Sequence, residues 1–540
     1  MLTSLFASLL LFAQTTFIPP MTHEISLAGN FGEPRPNHFH GGLDLRTEGV
    51  EGKAVRAIGD GYVSRITVSM SGYGNAVYVT HPEGYTSIYG HLQRFSPRLE
   101  SLLKKWQYEH EQYEADVRLT AVDCPVSKGQ LIAFSGNTGY SFGPHLHLEV
   151  RETATWSMLD PLEFLGTYVN DSVAPKLHGI RVYPQRGRGV YCHSADVQEL
   201  KEDGTAWGDI GIGIYADDYM QNSSNHYGIR LTQLFVDGRE VFSADVNGVP
   251  PSCNRMVNSW GDYDYYYRHS TWYLKSFIEP GNTLPILQGD VNRGIIHIGE
   301  ERDYQLEYVL TDYFGNTLHH KFTIKGQQSE IPLPPNISGT WLRWDQTNVV
   351  SLPGMQLVVP KGFLATDVAI QPSVPESQQA QTYQFTKQSC PLLYDAELSI
   401  AVRGLVNDSS KWFIVCHYGK DLFLEGTFHN GWVTSRVRDL GGTYELMYDD
   451  TPPEVIARHT TGNDNGIIRL ELKDLQSGVK SYKGYVDGQF VLFRPHPKSS
   501  LITCRLSDTP LRRNGQQRRL RVVVDDNCNN RQTYETTTKY

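Results

Sequence analysis

Two histidines separated by one residue occur in the segment "FGPHLHLEV", residues 142–150. In an extended strand alternate residues share a face, so His145, His147 and Glu149 are expected on one side. The apolar residues that alternate with them fall on the other side, which suits a hydrophobic core. The imidazole pair then faces either solvent or a metal ion. This segment alone is equally compatible with a polar strand face that carries two incidental histidines.

A second segment with possible chemistry is "NHFHGGLDLR", residues 37–46. His40 and Asp44 are four residues apart, and the two glycines between them favour a tight loop or a bulged strand over a helix. Imidazole nitrogen and carboxylate oxygen are both good zinc ligands. A surface loop with a His–Asp hydrogen bond is the alternative interpretation.

A third histidine, His91, follows a strand-like alternating run in "YTSIYGHLQRF". Short β segments are predicted at 54–58, 62–69 and 75–81, separated by turns rich in glycine, and they favour a meander of antiparallel hairpins. Residues 129–150 add two more strands around a glycine-rich loop at 136–143. These elements must position the three histidine segments.

Taken together, these segments resemble the M23 metallopeptidases, the lysostaphin/LytM-type endopeptidases of the cell wall. The resemblance rests on His40-x-x-x-Asp44, on "YGHL" ending at Leu92, and on "SGNTG" followed by "GPHLHLEV". It covers roughly residues 27–165 and implies a lysostaphin-like antiparallel β metallopeptidase domain, which we place at 18–168. The surrounding "GNFGEPRPNHFHGGLDLRT" is similar to forms found in Bacteroidetes-type Gram-negatives.

The resemblance implies a role for five residues. His40, Asp44 and His147 correspond to the ligands of one zinc ion, and three protein ligands leave a position open for water. His91 and His145 correspond to the two catalytic histidines that do not bind the metal, and either could be the general base. His38 is a less suitable ligand, because the family pattern has two small residues and then Asp after the liganding histidine.

An insertion separates the second and third motifs. Residues 96–120 carry apolar residues at helical spacing with charges between them, so we predict a helical insertion there. These residues are Leu99, Leu102, Leu103 and Trp106. A surface excursion and a wall or lid beside a substrate groove are both possible interpretations.

The remaining 370 or so residues contain an internal repeat. Segments 171–182, 227–242 and 308–324 parallel 450–460, 477–492 and 522–538, in that order. Each copy has a proline-containing turn, a "VDG" hairpin and a final strand pair, the layout of an immunoglobulin-like or fibronectin-like sandwich. We predict a mainly β protein with Ig-like domains at 170–327 and 450–540 and a further β domain at 331–448.

Composition and the N-terminus bear on location. The net charge of −10 gives no electrostatic footprint for nucleic acid. Residues 4–13 are nearly all apolar, about the length of a signal-peptide core, so we predict a signal peptide at 1–14, although no basic residue precedes it. No later stretch is long and apolar enough for a transmembrane helix. An exported protein, periplasmic or secreted, is expected.

Two functions remain in competition. The first is a zinc metalloendopeptidase that hydrolyses peptide bonds in peptidoglycan, either cross-links or stem peptides. The second is a LytM-type regulator that binds cell-wall amidases or their partners and cleaves nothing. All five matching positions are filled, which favours the enzyme. The C-terminal β domains are expected to act as spacers or to dock a protein partner.

Overall fold

The computed structural model describes residues 17–221, 223–334, 339–373, 381–404, 408–458, 466–497 and 499–540. The predicted signal peptide lies outside these residues. Contacts divide the described residues into two compact units, one of residues 17–31, 41–103 and 116–172, the other of residues 32–40, 104–115 and the described residues from 173 onward. Strands make up 48% of the structure and helices 9%, so the mainly β prediction is confirmed.

The first unit is built on one antiparallel sheet. Its central strand, His145–Glu152, is here called the histidine strand, and its neighbour Leu43–Arg46 the aspartate strand. The order across the sheet is Leu27–Gly29, the aspartate strand, the histidine strand, Tyr85–Gly90, Ala76–Thr80, Gly61–Val68 and Ala115–Arg118. Short strands Pro125–Val126 and Met158–Leu159 pair with Gly61–Val68 and the histidine strand.

One part of the predicted meander is wrong. Strands at 61–68, 76–80 and 85–90 do form consecutive antiparallel pairs. Ala54–Arg56, however, pairs with Leu131–Phe134 in a separate three-stranded sheet completed by Arg94–Phe95. The turn that follows Ala54–Arg56 does not reverse the chain within one sheet, because Asp60 in this turn is hydrogen-bonded to two other segments. Its carboxylate accepts from Lys128 N at 2.7 Å, and its backbone carbonyl accepts from His81 Nδ1 at 2.8 Å.

The alternation of the histidine strand separates core from site. Leu146, Leu148 and Val150 are fully buried on one face. The transfer of these apolar side chains from water to the core stabilises the fold by about 1.5–3 kcal/mol for each fully buried side chain. His147 and Glu149 point to the opposite face and are also buried. Burial of polar groups demands hydrogen-bond partners, and these partners define the site described below.

Four α-helices are present in the described part of the chain: Pro97–His110, Leu162–Leu165, Val257–Trp260 and Tyr263–His269. The longest falls in the predicted insertion. Its residues from 104 onward belong to the second unit. There the Tyr108 ring meets Phe490 edge-on at 5.4 Å, and the Tyr485 hydroxyl donates to Glu111 Oε2 at 2.7 Å.

The second unit consists of several sheets. The largest sheet of this unit has a main path of strands in the following order: Gln198–Glu199, Lys176–Tyr191, Thr205–Asp217, Thr317–Gly326, Asp303–Thr311, Leu231–Val236, Arg239–Asp245 and Leu287–Gln288. Leu274–Lys275 and Ile296–Ile298 pair with its third strand. Pro34–Arg35 and His38–Phe39 pair with each other, as do Thr340–Leu342 and Val368–Ile370.

Two further pairs of sheets follow in the second unit. The first pair combines Asn348–Leu352, Met355–Val359, Pro391–Ala401, Trp432–Asp439 and Thr427–His429 with Thr382–Gln384, Thr443–Tyr448, Trp412–Tyr418 and Lys420–Leu424. The second combines Glu454–Ala457, Ile467–Lys473, Leu501–Arg505 and Arg494–Pro495 with Gln489–Val491, Val479–Val486, Gln517–Asp526 and Arg531–Lys539. Each pair encloses its own apolar core.

Among the residues that the structure describes, no helix combines the length and the apolar character needed to cross a bilayer.

Candidate metal centre

Strand pairing brings the predicted site residues together. The histidine strand lies between the aspartate strand and Tyr85–Gly90, with His147 opposite Asp44 on one side and opposite Gly90 on the other. His91 follows Gly90 directly. Three segments that are far apart in sequence therefore meet around one position of the central strand.

The glycines between His40 and Asp44 allow this pairing. A Cβ atom on Gly42 would lie 2.1 Å from the carbonyl oxygen of Leu148 and 2.9 Å from Cγ of Glu149. No side chain fits at such a distance, so the aspartate strand can approach the histidine strand only with glycine here. The sequence predicted a tight loop or bulge from the two glycines, and the close approach of the two strands explains why glycine is needed at position 42.

His40, Asp44 and His147 form a group that could hold a metal ion. Each offers one ligand atom, and these atoms all lie within 4.8 Å of one another. His147 Nδ1 is 2.8 Å from Asp44 Oδ1, and both His40 and His147 are buried. Two imidazoles and one carboxylate are a donor set suited to zinc, and three protein ligands are typical of a catalytic site. The residues present therefore fit the ion that the sequence resemblance implies.

His91 is placed beside this group by an unusual backbone conformation. Its φ of +57° lies in the left-handed region, which non-glycine residues adopt rarely and mostly at functional or strained positions. The conformation is held because His91 N donates to the carbonyl of Tyr73 at 2.8 Å. The ring of His91 then lies 5.7 Å from that of His147, centroid to centroid.

His91 and His145 present the same nitrogen to the site. His91 Nδ1 lies 2.8 Å from the carbonyl oxygen of Thr138, and His145 Nδ1 lies 2.8 Å from that of Gly143. A carbonyl only accepts, so Nδ1 carries a proton in both rings, and Nε2 is the nitrogen left for other partners. The two rings are 4.7 Å apart, and His145 Nε2 lies 3.4 Å from Asp44 Oδ1.

The electrostatics of the histidines differ. Burial, together with the nearby rings of His147 and His145, lowers the pKa of His91 to about 3, so this imidazole is neutral near pH 7. For His147, burial opposes protonation, but hydrogen bonds with Asp44 and Glu149 outweigh it and raise the pKa to about 9. In the absence of a metal, both nitrogens of the His147 ring therefore carry a proton near pH 7.

Three residues with no role assigned from the sequence adjoin this group. Glu149 Oε1 lies 2.9 Å from His147 Nε2, the Tyr73 hydroxyl donates to the same oxygen, and Arg151 Nε donates to Oε2 at 2.7 Å. The alternation placed Glu149 on the histidine face, which was the available signal. Tyr73 comes from a turn that no pattern connected with the site.

Comparison with known proteins gives two family matches. Residues 38–108 match the sequence profile described as Peptidase family M23. Residues 339–449 match the profile of a Zu5-like domain.

Individual relatives match over part of the chain. The chain is 36% identical over 113 residues to the DD-carboxypeptidase/endopeptidase Mpg of Neisseria meningitidis serogroup B, covering 21% of this chain and 20% of that protein. It is 33% identical over 133 residues to an uncharacterized metalloprotease of Haemophilus influenzae, covering 25% and 21%. The chain thus spans about a fifth of the length of these curated relatives.

Among solved structures, the catalytic domain of the antimicrobial peptidase lysostaphin from Staphylococcus simulans is similar, with 24% identity, coverage of 26% of this chain and 92% of that chain, and a TM-score of 0.20. The profile match lies in the region that contains His40, Asp44 and His91. The N-terminal domain of this chain is therefore a Peptidase family M23 domain.

Proposed function

We propose that this protein is an exported zinc metalloendopeptidase that hydrolyses peptide bonds in peptidoglycan. The observation that carries the proposal is the convergence of ligand atoms from His40, Asp44 and His147 within 4.8 Å, with the rings of His91 and His145 beside them. The match of residues 38–108 to Peptidase family M23 supports the same assignment.

His40, Asp44 and His147 would hold the ion. When bound, zinc supplies Lewis acidity that activates water and polarises a carbonyl group. The chain itself contributes a fixed ligand geometry, because the antiparallel pairing sets Asp44 opposite His147. Burial of both histidine ligands limits competing solvent.

His91 and His145 would handle the proton and the charge of the reaction. Each ring is anchored through Nδ1–H and directs Nε2 away from its anchoring carbonyl. A neutral imidazole at this position can accept a proton from the attacking water and return it to the leaving amine. The ring that takes the proton becomes an imidazolium, and its Nε2–H can then donate to the leaving amine or to negative charge on the attacked oxygen.

The name of one relative supports a substrate class for this proposal. The Neisseria protein is named a DD-carboxypeptidase/endopeptidase. By analogy with that protein, we propose a direct cross-link between two peptidoglycan stem peptides as the scissile bond. Such a substrate lies outside the cytoplasm, so the proposal includes export to the periplasm or beyond. The C-terminal β modules, including the Zu5-like region, are proposed to dock a protein partner.

The test is digestion of purified sacculi by the mature protein, followed by mass spectrometry of the released muropeptides. Wild type, a chelator-treated sample and the His40→Ala variant are compared. His38→Ala is the matched control, because His38 is exposed and only two residues away. New peptide termini are expected with wild type and His38→Ala and with neither of the other two samples.

Release of no muropeptides by a folded, zinc-loaded wild-type protein would contradict the proposal. It would favour the alternative in which the domain binds cell-wall amidases or their partners without cleaving. Equal cleavage by His40→Ala would show that the proposed ligand is not required.

A further inference from the structure

A buried carboxylate lies behind the proposed metal site. Glu149 is only 2% exposed, yet it is placed in the middle of the domain on the same strand face as His147. Its Oε1 is 2.9 Å from His147 Nε2. His147 Nδ1, the other ring nitrogen, is 2.8 Å from Asp44 Oδ1, on the side where the ligand atoms converge. The ring is thus bracketed by two carboxylates, one at the site and one behind it.

A fixed network holds the carboxylate of Glu149. The Tyr73 hydroxyl donates to Oε1, and Arg151 Nε donates to Oε2 at 2.7 Å. Arg151 Nη2 also donates to the Tyr73 hydroxyl oxygen at 3.0 Å, which closes the network. A buried carboxylate without such partners would be costly, and the guanidinium of Arg151 compensates its charge.

The backbone also leaves room for this carboxylate. A Cβ atom on Gly41 would lie 2.7 Å from Glu149 Oε1 and 2.9 Å from the sulfur of Met158. Any side chain at position 41 would therefore collide with the Glu149 carboxylate. The glycine pair of the His40-Gly-Gly segment thus has a second function besides strand pairing.

We infer that Glu149, held by Tyr73 and Arg151, is a positioning residue that orients His147 for metal binding. Its carboxylate accepts the Nε2 proton of His147, which fixes the tautomer with Nδ1 as the ligand atom and fixes the ring plane. Outer carboxylates of this kind orient ligand histidines and raise their basicity. This inference rests on the proposed metal site and adds to it a residue that makes no contact with substrate.

The experiment measures zinc binding directly, by competition with a chromophoric chelator at fixed pH, together with the visible spectrum of the cobalt-substituted protein. The variants are Glu149→Ala, Glu149→Gln and Tyr73→Phe. Glu152→Gln is the matched control, since Glu152 is exposed on the same strand. Thermal unfolding of each metal-free variant checks that it folds.

We expect Glu149→Ala to weaken zinc binding about 10–100-fold and to change the cobalt spectrum. Glu149→Gln should recover part of the affinity, because its amide oxygen still accepts the Nε2 proton. Tyr73→Phe keeps the carboxylate and should lose only a few-fold, so it tests the inference even if Glu149→Ala does not fold. Glu152→Gln should match wild type.

Wild-type zinc affinity and an unchanged cobalt spectrum in folded Glu149→Ala would overturn the inference. Failure of the metal site itself gives a different pattern. In that case His147→Ala would bind zinc as tightly as wild type, whatever the residue at 149.

Discussion

Substitution of Gly42 by alanine should damage the metal centre through the backbone alone. The new Cβ would lie 2.1 Å from the carbonyl oxygen and 2.8 Å from the carbonyl carbon of Leu148. Both atoms are backbone in the central strand, so neither can rotate away. Ordinary van der Waals contact begins at 3.4 Å, so relief of the 2.1 Å contact requires the two strands to separate by about 1.3 Å. Asp44, two residues later, would move away from His147.

The expected cost is that of an overpacked core, about 1–3 kcal/mol in the free energy of unfolding of this domain. For a domain of this size each kcal/mol lowers Tm by about 2–4 °C. We expect zinc affinity to fall at least about tenfold, because metal sites require ligand placement within about 0.5 Å. Thermal unfolding of the metal-free protein and chelator competition measure the two effects.

Gly143→Ala is the matched control. Gly143 also lies near the site, but a Cβ there would meet nothing within 4 Å. This variant should retain the stability and the zinc affinity of wild type. The reasoning would be refuted if Gly42→Ala behaved like Gly143→Ala, since the close approach of the two strands would then not determine the position of Asp44.

Three further predictions follow from the site and its surroundings. His91→Ala should lower kcat about 10²–10⁴-fold while zinc content, measured by elemental analysis, stays at the wild-type level; loss of the metal would instead make His91 a structural residue. The raised pKa of His147, about 9, means that zinc binding displaces a proton below that pH. A rise in pH removes this proton, so apparent zinc affinity should increase about tenfold per pH unit between about pH 6 and pH 8, and a flat profile in chelator competition would contradict this. Tyr89→Phe removes the buried hydroxyl that accepts from Ile58 N at 2.8 Å. Chemical denaturation should show a free energy of unfolding lower by about 1–3 kcal/mol. Unchanged stability would show that the Ile58 amide finds another acceptor.

Local alternation predicted the strands well. The pattern of residues 145–150 assigns Leu146, Leu148 and Val150 to a core face, and the structure buries all three. Strand pairing beyond neighbouring segments was not predictable in the same way. Ala54–Arg56 follows the pattern of a meander strand but pairs with Leu131–Phe134, because side-chain bonds of the intervening turn direct the chain to the second sheet.

In the candidate site, too, local patterns were predictable from the sequence and long-range contacts were not. Residue types and spacing identified His40, Asp44, His91, His145 and His147 only with the help of a family resemblance. Asp44 and His147 are 103 positions apart, and no local pattern sets them opposite each other. Glu149 lay on the expected face, but its connection to Tyr73, 76 positions earlier, arises from tertiary packing of a turn. Hydrogen bonds of this kind depend on the fold as a whole.

The most direct test of the central claim is a zinc titration of the metal-free protein, with cleavage of a purified cross-linked muropeptide as the readout. The account predicts no cleavage without metal, a linear rise with added zinc, and a plateau at one equivalent per chain. The same titration of Asp44→Ala should stay at baseline through the first equivalent. Cleavage by the metal-free protein, or a zinc-saturated wild type that cleaves nothing, would contradict the assignment of His40, Asp44 and His147 as the centre of a peptidase.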